Sequence, residues 1–154
     1  MRHTAPHTNG HSFLSTKHRI LPLLATAFAF HFTGQSMQEL IVGGDTAAIH
    51  MASSGLKSLC SRVTADGIEA CRKACGGHGY LSSSGLPDLL GTYLQNCTVE
   101  GENYMIAQQT AKQLVKKIRD GSSGSSGSRY YSLTLFSVHV SQYQFVITRV
   151  QDST

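Results

Sequence analysis

The apolar positions of residues 47–75 recur at spacings of three and four, the period of one face of an α-helix. Without a break, this helix spans roughly 43 Å at 1.5 Å per residue, a length typical of helical bundles. Gly76 and Gly77 end it, because glycine adopts the left-handed conformation of a helix C-terminus without steric cost. The positions of the predicted buried face are Ile49, Ala52, Leu56, Leu59, Val63, Gly67, Ala70 and Ala74.

The segment before this long helix also has helical spacing. Residues 20–40 predict a helix with Pro22 in its first turn, where proline is tolerated, and with the glycine pair at 43–44 as its end. Asp45 or Thr46 is then expected to cap the long helix.

A further helix is predicted over residues 105–119, with Asn103 as its N-cap and basic residues near its C-terminus, where the helix dipole favours cations. Residues 82–103 form a loop-rich connection around the short segment 87–94. The apolar face of the predicted helix holds Ala107, Ala111, Leu114 and Ile118.

Both ends of the chain differ in composition from the helical region. Residues 1–16 combine His, Thr, Ser and Asn without a period and predict a disordered lead-in. Residues 121–128, GSSGSSGS, have the composition of a flexible linker. Alternating apolar positions in residues 129–154 predict a short β-hairpin, which must pack on the rest of the chain or stay disordered. The sequence therefore predicts an all-α domain over residues 17–120, followed by a linker and a hairpin tail.

Composition limits the class of protein. The chain has 154 residues, 40% hydrophobic and 14% charged, enough for one domain with a core but too few for a multi-domain enzyme. Three of the four positive charges behind the net +4 lie in residues 1–34, which hold no acidic residue. No stripe of Lys and Arg with interleaved aromatic residues occurs, which argues against nucleic-acid binding.

Two features of the sequence suggest other classes of protein, a secreted protein and a zinc-binding protein. The apolar segment 20–32 follows basic residues, as a secretory signal does, and under that alternative Asn96 would be a glycosylation site. It is shorter than the roughly 20 residues of a membrane span, and we favour a core helix. Cys71, Cys75 and His78 suggest zinc by their proximity, but they lack a clear fourth ligand, so no metal is expected.

Glu100 and Glu102 flank Gly101 just before the last predicted helix. The helix dipole favours the ionised carboxylate there, whereas burial would raise its pKa. A base that removes a proton from a weakly acidic C–H bond needs the raised pKa and a loop that lets its side chain enter a cavity. Simple helix capping explains the same residues, so both interpretations stay open at this point.

The segment GGHGY, residues 76–80, is the second candidate site. Its glycines let the backbone approach a flat or phosphorylated ligand closely, although a helix C-terminus alone accounts for two of them. The segment is not the dinucleotide-binding fingerprint, because that motif follows a strand and opens a helix.

Three segments closely resemble, in order, the C-terminal helical region of peroxisomal acyl-CoA oxidases: GIEACRKACGGHGY at 67–80, SSGLP at 83–87 and CTVEGEN at 97–103. The upstream PLLATAFAFHFTG, residues 22–34, is similar to the helix that precedes them in that family. The resemblance runs over about residues 17–117, two-thirds of the chain.

The resemblance implies a partial helical bundle, like the C-terminal α domain of acyl-CoA oxidases and dehydrogenases. The implied reaction is FAD-dependent α,β-desaturation of an acyl-CoA thioester, with O2 reduced to H2O2, in peroxisomal fatty acid β-oxidation. By position in the motif, Glu100 is implied as the base that takes the α proton and Gly101 as a substrate contact. Gly76, Gly77 and His78 match a turn that in related flavoproteins lies against the FAD of the partner subunit, which implies a homodimer.

The sequence also departs from the family pattern. Lys73 and Glu102 stand where the sister dehydrogenases usually have Gln and Thr, which favours an oxidase, and Val99 stands where an aromatic residue is common. Family oxidases are several times longer, with an N-terminal helical domain and a β-barrel that carries most of the flavin and thioester contacts. Residues 152–154 are not a peroxisomal signal of the Ser-Lys-Leu type. We therefore expect an oxidase fragment without activity of its own; the alternative is a non-catalytic helical binding or oligomerisation module.

Overall fold

The computed structural model describes residues 14–119, which are largely helical. The α-helices of this part are α1, Leu14–Gly43; α2, Thr46–Ala74; α3, Leu86–Leu94; and α4, Asn103–Arg119. Short 3-10 turns at Gly76–Tyr80, Ser82–Ser84 and Gln95–Cys97 connect α2 to α3 and follow α3. No strand occurs among residues 14–119, and the predicted all-α class is confirmed. The predicted linker and hairpin, and the first 13 residues of the predicted lead-in, lie outside the described residues.

Helix α2 is the centre of the fold, because α1, α3 and α4 all pack against it. Ala52, Leu59 and Val63 of the predicted apolar face are buried. Because helices lie on several sides of α2, burial extends beyond that single face. The additional buried residues of α2 are Ala48, Met51, Gly55, Ser61 and Ala65.

Both ends of α2 are set by residues that lie next to them in the sequence. The carboxylate of Asp45 accepts a hydrogen bond from the backbone N–H of Ala48 at 3.0 Å, so Asp45 is the N-cap. Cys75 is the C-cap, and Gly76 follows with a φ of 59°. The left-handed conformation of Gly76 ends the helix where the glycine pair predicted an end.

Helix α1 begins at Leu14, earlier than the predicted start at Ile20. Residues 14–16, predicted as part of the lead-in, therefore belong to the helix, and Pro22 lies in its interior rather than in its first turn. Because proline has no N–H, the carbonyl of His18 lacks its usual helical donor. The predicted position of Pro22 is thus wrong, since nothing in the apolar pattern marked the earlier start.

One face of α1 is apolar and exposed. Leu21, Leu24, Phe28 and Phe32 follow helical spacing and are between 53% and 62% exposed. None of the helices in residues 14–119 is both long and apolar enough to cross a membrane.

The best buried cluster lies where α1 turns into α2. Leu40 is 1% exposed and packs with Ala48 and Ala52, and Met37 and Ile49 cover the cluster. Leu40 therefore fixes the angle between the two helices.

We expect Leu40→Ala to lower the free energy of unfolding by about 2–4 kcal/mol, because it removes a fully buried side chain and leaves a cavity. Val42→Ala on the same helix is the matched control, since Val42 is 89% exposed. Urea unfolding followed by circular dichroism measures both. Equal losses in the two variants would contradict the assigned core.

Candidate functional site

The loop before α4 holds Glu100 in a backbone conformation that is rare for a residue with a side chain. The φ of Glu100 is 61° and that of Gly101 is 106°. The left-handed region costs a non-glycine residue roughly 1–2 kcal/mol. The φ of Gly101 favours glycine here, and a Cβ at this position would also lie 2.7 Å from Cδ1 of Ile106, so that side chain would have to move. Strained residues of this kind persist where the surrounding contacts fix them.

Side chains of α2 supply those contacts. The Lys57 ammonium donates to the Gly101 carbonyl at 2.7 Å and to Oδ1 of Asn103 at 2.8 Å. The Asn103 amide donates to the Ser58 carbonyl at 3.2 Å and to Oγ of Ser61 at 2.9 Å. Oγ of Ser58 donates in turn to the Asn103 carbonyl at 3.2 Å. These bonds, named here the loop-anchoring network, attach the loop to the middle of α2.

Glu102 caps α4. Its carboxylate accepts hydrogen bonds from the backbone N–H groups of Tyr104, at 3.0 Å, and Met105, at 3.3 Å. The prediction of Asn103 as the N-cap is therefore wrong: Asn103 is the first residue of α4, and its side chain binds α2 instead. The capping interpretation therefore holds for Glu102, because its carboxylate is hydrogen-bonded to the N-terminus of α4.

Glu100 differs from Glu102 in that its carboxylate has no hydrogen bond within residues 14–119. Its side chain is exposed. The carboxylate is thus available to accept a proton from a bound molecule. The described residues leave the Glu100 side chain open to solvent.

The GGHGY segment forms a 3-10 turn directly after α2. Gly76, Gly77 and His78 are exposed, whereas Gly79 is buried. A Cβ on Gly79 would collide with the Arg72 carbonyl, so the turn packs directly on the last turn of α2. The turn therefore presents bare backbone on one side and packs tightly on the other.

An ion pair strengthens the end of α2 beneath this turn. The Glu69 carboxylate accepts from Nε and Nη2 of Arg72 at 2.6 Å and 2.7 Å and lies 3.3 Å from Nζ of Lys73. Hydrogen bonding by Arg72, more than by Lys73, lowers the pKa of Glu69 to about 2. Glu69 is therefore ionised at physiological pH and holds the Arg72 side chain in a bidentate geometry.

The two candidate sites lie at different places along α2. The loop of Glu100 and Gly101 is attached at Lys57, and the turn of Gly76, Gly77 and His78 begins after Cys75. Lys57 and Cys75 are separated by about 27 Å along the helix at 1.5 Å per residue. Glu100 and Gly101 are neighbours in the sequence, and the point at which their loop is attached to α2 is distant from the start of the GGHGY turn.

The cysteines do not form a metal site with the described residues. Among residues 14–119, no group of three or more His, Cys, Asp or Glu side chains is placed to hold a metal ion. Cys60, Cys71, Cys75 and Cys97 are free thiols, and burial raises the pKa of Cys60.

Comparison with known proteins assigns the fold to a family. The family model for the acyl-CoA oxidase C-alpha1 domain matches residues 11–115. This chain belongs to the acyl-CoA oxidase family. The resemblance predicted from the sequence motifs is therefore confirmed, and the matched segment of this oxidase-family chain contains both candidate sites.

Relatives from plants and animals match the same region. Peroxisomal acyl-coenzyme A oxidase 1 of Arabidopsis thaliana is 43% identical over 122 residues, which cover 73% of this chain and 18% of that protein. The Homo sapiens protein of the same name is 42% identical over 122 residues, with the same coverages of 73% and 18%. This oxidase-family chain therefore spans about a fifth of the length of the curated relatives it matches.

Solved structures agree with this assignment. Acyl-CoA oxidase 1 of Arabidopsis thaliana has a TM-score of 0.67 at 42% identity, over 73% of this chain and 19% of that one. Acyl-CoA oxidase-1 of Caenorhabditis elegans, complexed with FAD and ATP, has a TM-score of 0.69 at 33% identity, over 79% of this chain and 20% of that one. The helices described above therefore have the arrangement found in these oxidases.

Sequence reasoning missed the loop-anchoring network. Lys57, Ser58 and Ser61 precede Asn103 by more than 40 positions, and each has a residue type that is ordinary on a solvated helix face. One local indication lies in CTVEGEN, where Asn103 directly follows Glu102 and both side chains are able to cap the helix. With Glu102 as the cap, the Asn103 side chain is free for another contact. The contact itself appears only in the folded chain.

We expect Gly79→Ala to lower the free energy of unfolding by about 1–3 kcal/mol, because its Cβ has no space against the Arg72 carbonyl. Gly77→Ala is the control, since a Cβ there has no heavy atom within 4 Å. Chemical denaturation of both variants tests this packing. A Gly77→Ala variant as unstable as Gly79→Ala would contradict it.

Proposed function

We propose that Glu100 is the base that removes the α proton of a fatty acyl-CoA thioester in a flavin-dependent acyl-CoA oxidase of peroxisomal β-oxidation. One observation carries the proposal: within a segment that matches the acyl-CoA oxidase C-alpha1 domain, the exposed carboxylate of Glu100 stands on a fixed loop without a hydrogen-bond partner among the described residues. The carboxylate of the neighbouring Glu102 accepts hydrogen bonds from the backbone of α4, so it is less suited than Glu100 to act as the base.

The role of Glu100 in this chemistry is proton acceptance. As the α C–H bond breaks, the proton moves to the Glu100 carboxylate, and the electron pair of that bond forms the α,β double bond while hydride leaves the β carbon. FAD, when bound, accepts that hydride and passes the two electrons to O2, which is reduced to H2O2. The exposed Gly101, next to Glu100 on the same loop, is our proposed substrate contact, and Lys57 holds its carbonyl in place.

The GGHGY turn fits a role in FAD binding. Gly76 and Gly77 are exposed, and a Cβ at either position would have no heavy atom within 4 Å, so a flat or phosphorylated group can approach the backbone directly. The exposed imidazole of His78 adds a hydrogen-bonding group at the same surface. These three residues are therefore our proposed FAD contacts.

The resemblance to the oxidase family underlies our proposal of a homodimer. In it, Glu100 serves the site of its own subunit and the GGHGY turn contacts the FAD of the partner subunit, with about 27 Å between their attachment points on α2. The peroxisomal names of the relatives in Arabidopsis thaliana and Rattus norvegicus support a peroxisomal location for this activity.

A hybrid enzyme tests the role of Glu100. Residues 17–117 replace the matching segment of Arabidopsis thaliana acyl-CoA oxidase 1, and peroxide release from a long-chain acyl-CoA is measured. We expect an active hybrid in which Glu100→Gln lowers kcat by about 10²–10⁴-fold, because the general base is removed. FAD absorbance of the purified hybrid should stay unchanged in this variant.

Glu102→Gln is the matched control, because it makes the same chemical change at a carboxylate that caps α4. The glutamine amide keeps one acceptor oxygen for the helix end, so the change should weaken the cap, cost less than about 1 kcal/mol of stability and leave kcat nearly unchanged. We expect the 154-residue chain by itself to release no measurable peroxide. A Glu100→Gln hybrid with full activity would refute the proposal.

A second function is favoured by the exposed apolar face of α1. Leu21, Leu24, Phe28 and Phe32 form a continuous stripe, and such a surface promotes association with a second copy or with a full-length relative. Under this alternative the chain is a non-catalytic helical binding or oligomerisation module.

Light scattering separates the alternative from a monomer. We expect the chain to associate and Phe28→Glu to reduce association, because it places a charge in the apolar stripe. Gln38→Glu adds the same charge at another exposed position of α1 and should leave association unchanged. A monodisperse 16.6 kDa species would count against this function.

A further inference from the structure

We propose that Lys57 is the positioning residue that holds Glu100 in its left-handed conformation. The proposal rests on the proposed function, because it explains how α2 presents the base. Lys57 lies on α2 and reaches the loop through the hydrogen bond from its ammonium to the Gly101 carbonyl at 2.7 Å. That carbonyl lies one residue beyond Glu100.

Glu100 is held from both sides. On the N-terminal side, the backbone N–H groups of Thr98 and Val99 donate to the Gln95 carbonyl at 2.8 Å and 2.9 Å. On the C-terminal side, Lys57 holds the Gly101 carbonyl. With both ends fixed, the short intervening backbone turns through positive φ at Glu100 and Gly101 and directs the Glu100 side chain outward.

The bond from Lys57 to Gly101 acts on the loop and is dispensable for helix packing. Asn103 already joins α4 to α2 through Ser58 and Ser61. Glu102 caps α4 without help from Lys57. The Lys57 ammonium donates to Oδ1 of Asn103 at 2.8 Å as well, but its bond to the Gly101 carbonyl is the one that acts on the loop. A charged donor makes a stronger bond there than a neutral one.

Nuclear magnetic resonance of the full 154-residue chain tests the backbone effect directly. A residue with positive φ gives a strong cross peak between its own amide and Hα protons. We expect this peak at Glu100 in the unchanged chain, a loss of at least half its intensity in Lys57→Met, and retention in Lys57→Arg, which keeps a charged donor. Lys112→Met, at an exposed position of α4, should leave it unchanged.

A Lys57→Met chain that keeps the full cross peak at Glu100 would overturn the proposal. Circular dichroism verifies that each variant keeps its helices. Should Lys57→Met lose its helices, Lys57→Gln replaces it, since the glutamine amide is neutral and shorter. A full peak in Lys57→Gln would overturn the proposal in the same way.

Kinetics of the hybrid enzyme then test whether the loop acts through Glu100. We expect Lys57→Met to lower kcat about tenfold or more with little change in KM, because a displaced base slows proton transfer without weakening substrate binding. Added to Glu100→Gln, Lys57→Met should cause no further loss, whereas an equal loss in both backgrounds would overturn the positioning role. A fully active Glu100→Gln hybrid refutes the base assignment alone, and the resonance result still decides how Lys57 shapes the loop.

Discussion

The close packing of helices on α2 is the constraint on which the rest of the structure depends. Small buried residues, among them Ala48, Ala52 and Gly55, let neighbouring helices approach its backbone. At Gly67 the approach is tight enough that a Cβ would lie 3.2 Å from the Leu23 side chain of α1. A helix packed on several sides is rigid, and this rigidity fixes the spacing of the two loops attached to it.

That rigidity explains how an unfavourable conformation persists at Glu100. The left-handed backbone costs energy locally, and the cost is offset by the charge-assisted bonds that Lys57 makes to Gly101 and Asn103. Ordering a lysine side chain also reduces its rotamer freedom, so the anchor is effective only if its acceptors are already in place. Asn103, held by the buried Ser61, provides such a fixed acceptor.

Sequence patterns predicted the parts of the fold that local physics determines. The helix period, the Asp45 cap and the terminal glycines defined α2 nearly to the residue, because each depends on neighbours within one or two turns. Helix α1 was predicted too short, because residues 14–19 are mostly polar and carry no apolar pattern that marks the start of the helix. The Asn103 cap was wrong for a different reason: its partners on α2 are distant in sequence, and nothing local distinguishes a capping asparagine from one that binds another helix.

The roles predicted for the site residues came from the resemblance to a family, since no local pattern assigns chemistry to an exposed carboxylate. These residues are Glu100, Gly76, Gly77, His78 and Gly101.

Glu100 and the apolar face of α1 are both exposed to solvent, and both depend on a further surface to cover them. A carboxylate becomes an effective base for a C–H proton when water is excluded around it, and an apolar helix face becomes stable when another surface covers it. The described residues fix the position of the Glu100 loop. They leave both the Glu100 side chain and the apolar face of α1 open to solvent. Under the proposed function, the orientation of Glu100 and its desolvation are therefore separable tasks. The orientation belongs to α2 and its loop, which hold the Glu100 backbone in place, whereas the desolvation depends on surface other than the described residues.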